Sequence, residues 1–207
     1  MGKQVWKPGN MLYPLPAVMV SGQSSTAHDP LCERPELDGK PNIITVAWAG
    51  TVCTNPPMVS ISVRPERHSY RMIKESGEFV INLVTEQLVK AADYCGVRSG
   101  RDVDKFEKLK LTREKADFVK GPMIAESPVS IECRVAKVEE LGSHHLFLAE
   151  VVAVHADEEY LDETGKFQWN KTRPLAYSHG EYFGLGKKIG KFGYSVRKRR
   201  KKERDKR

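Results

Sequence analysis

The residues best suited to chemistry form a cationic group just before a short helix. The segment RPERHS contains two arginines, a histidine and a serine, namely Arg64, Arg67, His68 and Ser69. The first N–H groups of a helix have no partners within it, and the helix dipole adds partial positive charge there. An arginine beside such a helix start can bind phosphate through two parallel hydrogen bonds. The segment predicts an anion site, although an ordinary capped surface helix is an equally good interpretation of these residues alone.

A second group of polar and aromatic residues lies on the strand-like run before this segment. Asn42, Thr45 and Trp48 are spaced as N-x-x-T-x-x-W, and a turn containing Pro56 and Pro57 follows. An indole offers a flat apolar wall, and amide and hydroxyl groups offer hydrogen bonds. Each residue alone is more typical of packing or strand structure. Their joint spacing, ahead of the cationic helix start, favours a site for a planar and anionic ligand.

The elements that must position these groups are mostly antiparallel strands. The pattern predicts strands at residues 14–22, 42–49, 58–63, 79–83, 129–140 and 145–156. The segment Leu141-Gly142-Ser143-His144 predicts a hairpin between the last two strands. Because Pro56 and Pro57 cannot donate to a ladder, the turn that contains them is expected outside the sheet. This series predicts a closed or partly closed β-barrel with a few short helices.

Two helices and one long loop are predicted between the strands. The first helix begins with Ser69 as its N-cap and ends before Gly77. The second begins after Thr85, stops at Gly96, and carries an apolar stripe of Leu88, Val89, Ala92 and Cys95. Residues 23–40 are rich in charges and turn formers, which is typical of a surface loop.

Length and cysteine content indicate an intracellular protein of one domain. The 207 residues suffice for a substantial core. No apolar run reaches the roughly 18 residues of a membrane span, and the start MGKQVWKPGN lacks the apolar centre of a signal peptide. A cytoplasmic location without membrane contact is therefore expected. The four cysteines have no C-x-x-C spacing, so reduced thiols are expected, with Cys95 and Cys133 as buried small apolar residues.

The positive charge of the chain is concentrated at its end. Residues 187–207 carry twelve Lys and Arg against two acidic residues, a balance of +10 that leaves −3 for the first 186 residues of a chain with net charge +7. After Val196 this segment has no apolar position. A basic tail of residues 196–207 is therefore expected to be disordered.

Several cofactor and metal motifs are missing from the sequence. It has no G-x-G-x-x-G between a strand and a helix, no G-x-x-x-x-G-K-[ST] and no G-x-S-x-G. No cysteine or histidine pair has zinc-ligand spacing. These observations exclude a dedicated Rossmann domain, a P-loop and a nucleophile elbow, and no metal site is expected.

Taken together, the motifs resemble the flavin reductase-like domain family, and most closely its flavoredoxin-type members, over about residues 14–194. The resemblance rests on the order and spacing of N-x-x-T-x-x-W at 42–48, TVCTNPP at 51–57, RHS at 67–69, GEFVINL at 77–83, DKF at 104–106, IEC at 131–133, His144, Tyr177 and G-x-Y at 180–182. It implies an FMN-binding split β-barrel of the Greek-key antiparallel type in residues 1–195, followed by the basic tail.

The resemblance also implies which residues contact FMN. They are Asn42, Thr45, Val46, Ala47, Trp48, Thr51, Val52, Cys53, Arg67, His68, Ser69, Lys105, His144 and Tyr177. The family commonly has Thr at the position of Ser69, an aromatic such as Phe at Tyr177, and Ser at Cys53. Read singly, Lys105 is typical of a solvated charged face, His144 of a surface turn and Tyr177 of core packing.

The implied activity is that of an oxidoreductase in which NAD(P)H reduces bound FMN and the reduced flavin passes electrons to an acceptor. No catalytic residue is assigned, because the cofactor carries the chemistry and the protein binds and orients it. The family resemblance further implies a homodimer with FMN near the subunit interface. Two alternatives remain open. One is a flavoredoxin-like electron carrier reduced by a redox protein partner, and the other is binding of nucleic acid or another anionic partner through the tail.

Overall fold

Strands dominate the computed structural model, which describes residues 2–23 and 29–196. The strands are β1 (Leu15–Pro16), β2 (Val18–Gly22), β3 (Asn42–Val46), β4 (Ala49–Thr54), β5 (Pro57–Val63), β6 (Glu78–Leu83), β7 (Arg113–Glu114), β8 (Met123–Ile124), β9 (Val129–Leu141), β10 (His144–Ala156), β11 (Leu175–Ser178) and β12 (Glu181–Gly184). The helices are α1 (His68–Ser76), α2 (Val89–Val97) and α3 (Lys105–Leu109). Short 3-10 turns span Pro35–Leu37, Glu86–Leu88, Glu158–Tyr160 and Tyr194–Val196.

Seven of these strands form one antiparallel sheet in the order β3-β2-β6-β9-β10-β5-β4. Its two edge strands, β3 and β4, are consecutive in the chain and are joined only by Ala47 and Trp48. Two residues span less than about 8 Å, so the opposite edges must lie close together. The Ser62 amide donates to the Trp48 carbonyl at 2.9 Å, which extends the pairing of β4 with β5 into this connection. The sheet is therefore curled into a split barrel, and the predicted mainly β fold is confirmed.

Side-chain alternation fills the barrel from its inner face. Val18, Val20, Ile44 and Val46 point into one core cluster with Ile61, Phe79 and Phe147. The intervening residues of the same strands, Met19 and Ile43, pack instead against the helices, where Leu88, Ala92, Cys95 and Phe106 meet them. Strands β2 and β3 are therefore covered on both faces, so their sequences are almost continuously apolar. The predicted stripe on the second helix is confirmed, as are the buried positions of Cys95 and Cys133.

Other strand predictions hold with modest changes. Strands β9 and β10 pair along nearly their whole length, and Gly142 in their turn has φ 52°. The turn at residues 54–57 is not wholly outside the sheet, because Pro57 opens β5 and pairs with Thr54. A proline is tolerated at the first residue of a strand. The sequence analysis missed β4, whose residues 49–54 are small and half exposed and lack clear alternation.

The helix starts also differ from the prediction. Helix α1 begins at His68 with Arg67 as its N-cap and with no side-chain cap, so Ser69 lies in the first turn. Gly77 adopts the left-handed conformation that ends α1, with φ 67°, as a C-terminal glycine should. Helix α2 continues through Gly96 to Val97. Helix α3 was missed because its five residues lie in a charged stretch.

Two predicted segments lie partly outside the described residues. The expected disordered tail falls there from residue 197 onward, and Val196 belongs to a 3-10 turn. Within the predicted surface loop, residues 24–28 also lie outside, but Asp29 and Leu37 are buried at 4% and 5% exposure. The surface prediction is wrong for these two residues. Among the residues described, no helix is long and apolar enough to cross a membrane.

Glu132 on β9 anchors the segment that precedes β8. Its side chain is fully buried and accepts hydrogen bonds from the amides of Asp117, Phe118 and Val119 at 2.7–2.9 Å and from His155 Nε2 at 2.6 Å. Burial acts to raise the pKa of Glu132, but these hydrogen bonds outweigh it and the pKa is lowered overall. A buried carboxylate thus holds a loop against the sheet.

We expect Glu132→Gln to lower the free energy of unfolding by about 3 kcal/mol, because an amide cannot accept from both sets of donors and leaves buried groups unpaired. Urea denaturation measures the change. Glu139→Gln on the same strand, with a side chain 42% exposed, is the matched control. Equal stabilities of the two variants would contradict the anchoring role of Glu132.

Candidate functional site

Two adjoining cavities open where β3 meets the start of α1. The first, here called the cationic cavity, has a volume of about 130 Å³ and is lined by Asn42, Ser69, His68, Arg98, Arg101 and Lys105 among others. The second, here called the aromatic cavity, has a volume of about 430 Å³ and is lined by Tyr13, Thr45, Val46, Ala47, Trp48, His144 and Tyr177 among others. Ile44 and Arg67 line both cavities, so the two are neighbours.

The uncapped start of α1 faces the cationic cavity. His68 and Ser69, the first residues of α1, line this cavity, and no side chain caps the helix. Arg67 lies at the junction of the two cavities and, within the described part of the chain, forms no salt bridge. Free helix N–H groups beside an unpaired guanidinium make a suitable site for a phosphate.

A close contact holds the amide of Asn42 in this cavity. Asn42 Nδ2 donates to Ser69 Oγ at 2.8 Å, and both side chains are buried. A Cβ on Gly100 would lie 2.5 Å from Asn42 Cγ, so only glycine fits opposite the amide. Asn42, the first residue of the N-x-x-T-x-x-W motif, is therefore joined to the first turn of α1. This hydrogen bond connects the motif on β3 with the cationic segment RPERHS.

Lys105 is buried beside the same cavity rather than on a solvated face. Its side chain is 2% exposed, and Nζ donates to the carbonyls of Ile43 at 2.6 Å and Cys95 at 2.9 Å. Burial lowers the pKa of Lys105 to about 8. The ammonium thus connects β3, α2 and α3, and it retains one further N–H for a ligand.

A buried carboxylate organises two further cationic side chains. Asp29 Oδ2 accepts from His68 Nδ1 and from Arg101 Nε, each at 2.7 Å. Arg101 Nη1 also donates to the Glu66 carbonyl at 3.2 Å. Sequence reasoning missed Asp29 and Arg101. The Arg-rich segment at 98–101 was a usable signal for Arg101, whereas Asp29 stands in a polar loop without any pattern.

The aromatic cavity is walled by rings at right angles to one another. The Trp48 indole and the His144 imidazole have centroids 4.5 Å apart and planes at 88°. Tyr177 contacts Tyr13 edge-on at 6.3 Å, and Tyr13 comes from the segment before β1. Trp48 remains 40% exposed, so its ring is available to a ligand. Sequence reasoning missed Tyr13, which lies in a segment without regular structure.

His144 is neutral at neutral pH in this setting. Burial, aided by the positive charges of Arg64 and Arg67 and opposed by Glu66, lowers the pKa of His144 below its ordinary value of 6.5. A neutral imidazole has one donor and one acceptor nitrogen. Its Nδ1 lies 3.0 Å from Ser143 Oγ. His144 can therefore orient a polar ring edge through a hydrogen bond without adding charge.

The structure brings together eleven of the fourteen predicted contact residues around the two cavities. Thr51, Val52 and Cys53 lie elsewhere, on the edge strand β4, and line neither cavity. Thr45 lines the aromatic cavity, but its hydroxyl already donates to the Ala92 carbonyl at 2.5 Å. Contact of these residues with FMN stays a prediction.

The family of the chain follows from a match over most of its length. Residues 12–186 match the flavin reductase like domain. The chain belongs to this family. Flavin reductase-like domains include oxidoreductases that use flavin, and the mainly β split barrel agrees with that membership.

Individual members of the flavin reductase-like family are similar to this chain. The flavoredoxin of Desulfovibrio vulgaris (Miyazaki F) superposes with a TM-score of 0.81 and 30% identity, covering 95% of this chain and all of that one. A protein of Archaeoglobus fulgidus with no assigned function is 35% identical over 70% of this chain and 80% of its own length. A flavin reductase of Pseudomonas putida is 27% identical over 65% of this chain and 71% of its own length.

The burial of Lys105 has a measurable consequence at alkaline pH. Its pKa is about 8 in the folded protein and 10.5 in the unfolded chain. The unfolded state therefore binds more protons between these values, and the free energy of unfolding rises with pH across this window by about 3 kcal/mol. Lys105→Met removes this rise, whereas Lys108→Met, at an exposed position of α3, keeps it.

Urea denaturation at several pH values between 7 and 10.5 measures this effect. Burial raises the pKa of Cys95 to about 11 and that of Cys133 to about 12, which lowers stability above pH 9. The difference between wild type and Lys105→Met largely removes this opposing effect, since both proteins keep the two thiols. A difference that is constant with pH would contradict the folded-state pKa of Lys105.

Proposed function

We propose that this protein binds FMN and passes electrons from NAD(P)H through the flavin to an acceptor. The observation that carries the proposal is the pair of adjoining cavities, one cationic at a helix start and one walled by aromatic rings. Together they match a molecule with a phosphate at one end and a planar ring at the other. Membership of a flavin reductase-like family supports the choice of a flavin.

The cationic cavity would hold the FMN phosphate. Ser69 and the free N–H groups of α1 offer hydrogen bonds, and Arg67 offers a fork of donors that forms no salt bridge in the described ranges. Lys105 adds an N–H from a buried position. Its pKa of about 8 would rise when a dianion binds, because an opposite charge favours the ammonium.

The aromatic cavity would hold the isoalloxazine ring. Trp48 and Tyr177 offer apolar walls, and the backbone of Thr45, Val46 and Ala47 lies beside them. His144 would donate to a polar edge of the ring or orient a nicotinamide against its open face. Bound here, FMN would supply the redox chemistry between a hydride donor such as NAD(P)H and the electron acceptor. The chain's own residues bind, orient and shield the ring.

Flavoredoxin-like electron transfer is a second candidate function. The likeness to the Desulfovibrio flavoredoxin, which extends over 95% of this chain, favours it. In that case a redox protein rather than a nicotinamide would supply the electrons. Binding of nucleic acid through the tail stays a prediction, since residues 197–207 lie outside the described part of the chain.

A homodimer and a cytoplasmic location complete the proposal. Large apolar side chains are strongly exposed on both terminal segments, including Trp6 at 70%, Leu12 at 84% and Ile189 at 92%. A second subunit that covered these side chains would remove their apolar surface from water, which supports a subunit interface. The four cysteines are free of disulfides, which supports a reducing compartment.

Flavin binding is tested by titrating the purified protein with FMN. Binding next to Trp48 should quench tryptophan fluorescence and perturb the visible bands of the flavin. In Trp48→Phe most of the FMN-dependent quenching should disappear. Trp169→Phe, which removes an exposed indole packed on Phe167, should retain it. Absence of any spectral change at FMN concentrations of about 100 μM, a weak-binding range, would refute the proposal.

The electron donor is identified by mixing the oxidised FMN complex with NADH or NADPH without oxygen. Prompt bleaching of the flavin bands supports the reductase. No bleaching by either nucleotide, with full bleaching by dithionite, supports the electron carrier instead. Apoprotein mixed with the same nucleotide is the control.

A further inference from the structure

We propose that Asp29 is a positioning residue, which holds His68 and Arg101 so that Nε2 of His68 and an N–H of Arg101 face a phosphate monoester in the cationic cavity. The proposal rests on the binding of FMN argued above. Asp29 lies in the polar insertion between β2 and β3, apart in sequence from the other residues of the site. Its role follows from its hydrogen bonds and from the nitrogen atoms of His68 and Arg101 that these bonds leave available to a ligand.

Both carboxylate oxygens of Asp29 accept hydrogen bonds. Oδ2 accepts from both His68 and Arg101, and Oδ1 accepts from the Leu31 amide at 3.0 Å. The Asp29 amide in turn donates to Asp38 Oδ1 at 3.2 Å. Burial acts to raise the pKa of Asp29, but its hydrogen bonds with His68, Leu31 and Arg101 and the charge of Arg101 lower it overall. The carboxylate is therefore ionised and fixed at neutral pH.

The two side chains that Asp29 holds each keep a further nitrogen for a ligand. His68 is 8% exposed and lines the cationic cavity, and its Nδ1 is bound to Asp29. Within the described ranges, no side-chain polar atom is both fully buried and without a partner. Within the same ranges His68 Nε2 has no bonding partner, so it reaches the open space beside it, which is the cavity. Arg101 uses Nε and Nη1, and its Nη2 has no partner among the residues described.

The hydrogen bond to Asp29 fixes the tautomer and the orientation of the His68 imidazole. Because Asp29 is an ionised acceptor, it holds the proton of His68 on Nδ1. Nε2 is therefore the ring nitrogen that faces the cavity, as an acceptor in the neutral ring and as a donor in the imidazolium. Arg101 is anchored at both ends, by Asp29 and by the Glu66 carbonyl, so its free N–H loses little further rotational freedom on binding.

Simple Coulomb attraction and a positioning role predict opposite effects on phosphate binding when the charge of Asp29 is removed. Asp29 carries a negative charge beside the proposed phosphate, so neutralising it should strengthen phosphate binding if charge alone mattered. A positioning role predicts weaker binding. An amide at this position cannot accept from His68, Arg101 and the Leu31 amide at once, because one of its two terminal atoms is a donor.

The test compares dissociation constants for FMN and riboflavin, which lacks the phosphate, in fluorescence titrations at pH 7. Asp29→Asn should weaken FMN binding about tenfold, the size expected for lost hydrogen bonds to charged groups, and leave riboflavin within about twofold. Glu36→Gln is the matched control, since it neutralises an exposed carboxylate of the same insertion that pairs with Arg34. It should leave both constants unchanged.

A second variant separates positioning from folding. His68→Asn retains a donor toward Asp29 and removes Nε2, and it should cause the same FMN-selective loss. The double variant should lose much less than the product of the two single losses, because Asp29 acts through His68. Unchanged or tighter FMN binding in Asp29→Asn, equal losses for both flavins, or multiplicative losses in the double variant would each overturn the proposal. Failure of the wild type to bind either flavin would instead refute the proposed function.

Discussion

The two-residue connection between β3 and β4 is the constraint on which the rest of the structure depends. It joins opposite edges of a seven-stranded sheet, so the sheet must curl until the edges meet. Trp48 lies in this connection, and its carbonyl accepts from Ser62 on β5. The indole is thereby fixed at the mouth of the barrel, beside His144 at the start of β10. The aromatic cavity is thus a direct result of barrel closure.

The cationic cavity lies beside the same strand β3, and the burial of its positively charged side chains opposes folding. Lys105, His68 and Arg101 line the same cavity, and burial lowers the pKa of Lys105. Buried cations of this kind are costly unless they are paired or hydrogen-bonded. Backbone carbonyls and Asp29 supply part of that pairing. An incoming dianion would supply the rest, which links ligand binding to stability.

The sequence predicted the elements that have a regular pattern of apolar residues or a clear terminating glycine. It did not predict features that depend on single contacts between distant residues. Runs rich in β-branched residues predicted β3 and β5, and Gly77 marked the end of α1. By contrast, β4 lacks alternation, and α3 is too short for its period to be visible. The motifs grouped Asn42, Trp48 and Ser69, and the structure places these residues around the two adjoining cavities. Nothing local indicated that Lys105 is buried or that Asp29 reaches beneath α1, since both depend on contacts over 39 residues or more.

The absence of a side chain at Gly100 limits how this site can change. Any larger residue there would occupy the space of the Asn42 amide and break its bond to Ser69. Variation that enlarges or reshapes the cationic cavity must therefore come from its neighbours, such as Arg98 and Ser99, whose side chains line the same space. In a library designed to change the preferred cofactor, position 100 should be held constant and these two positions diversified.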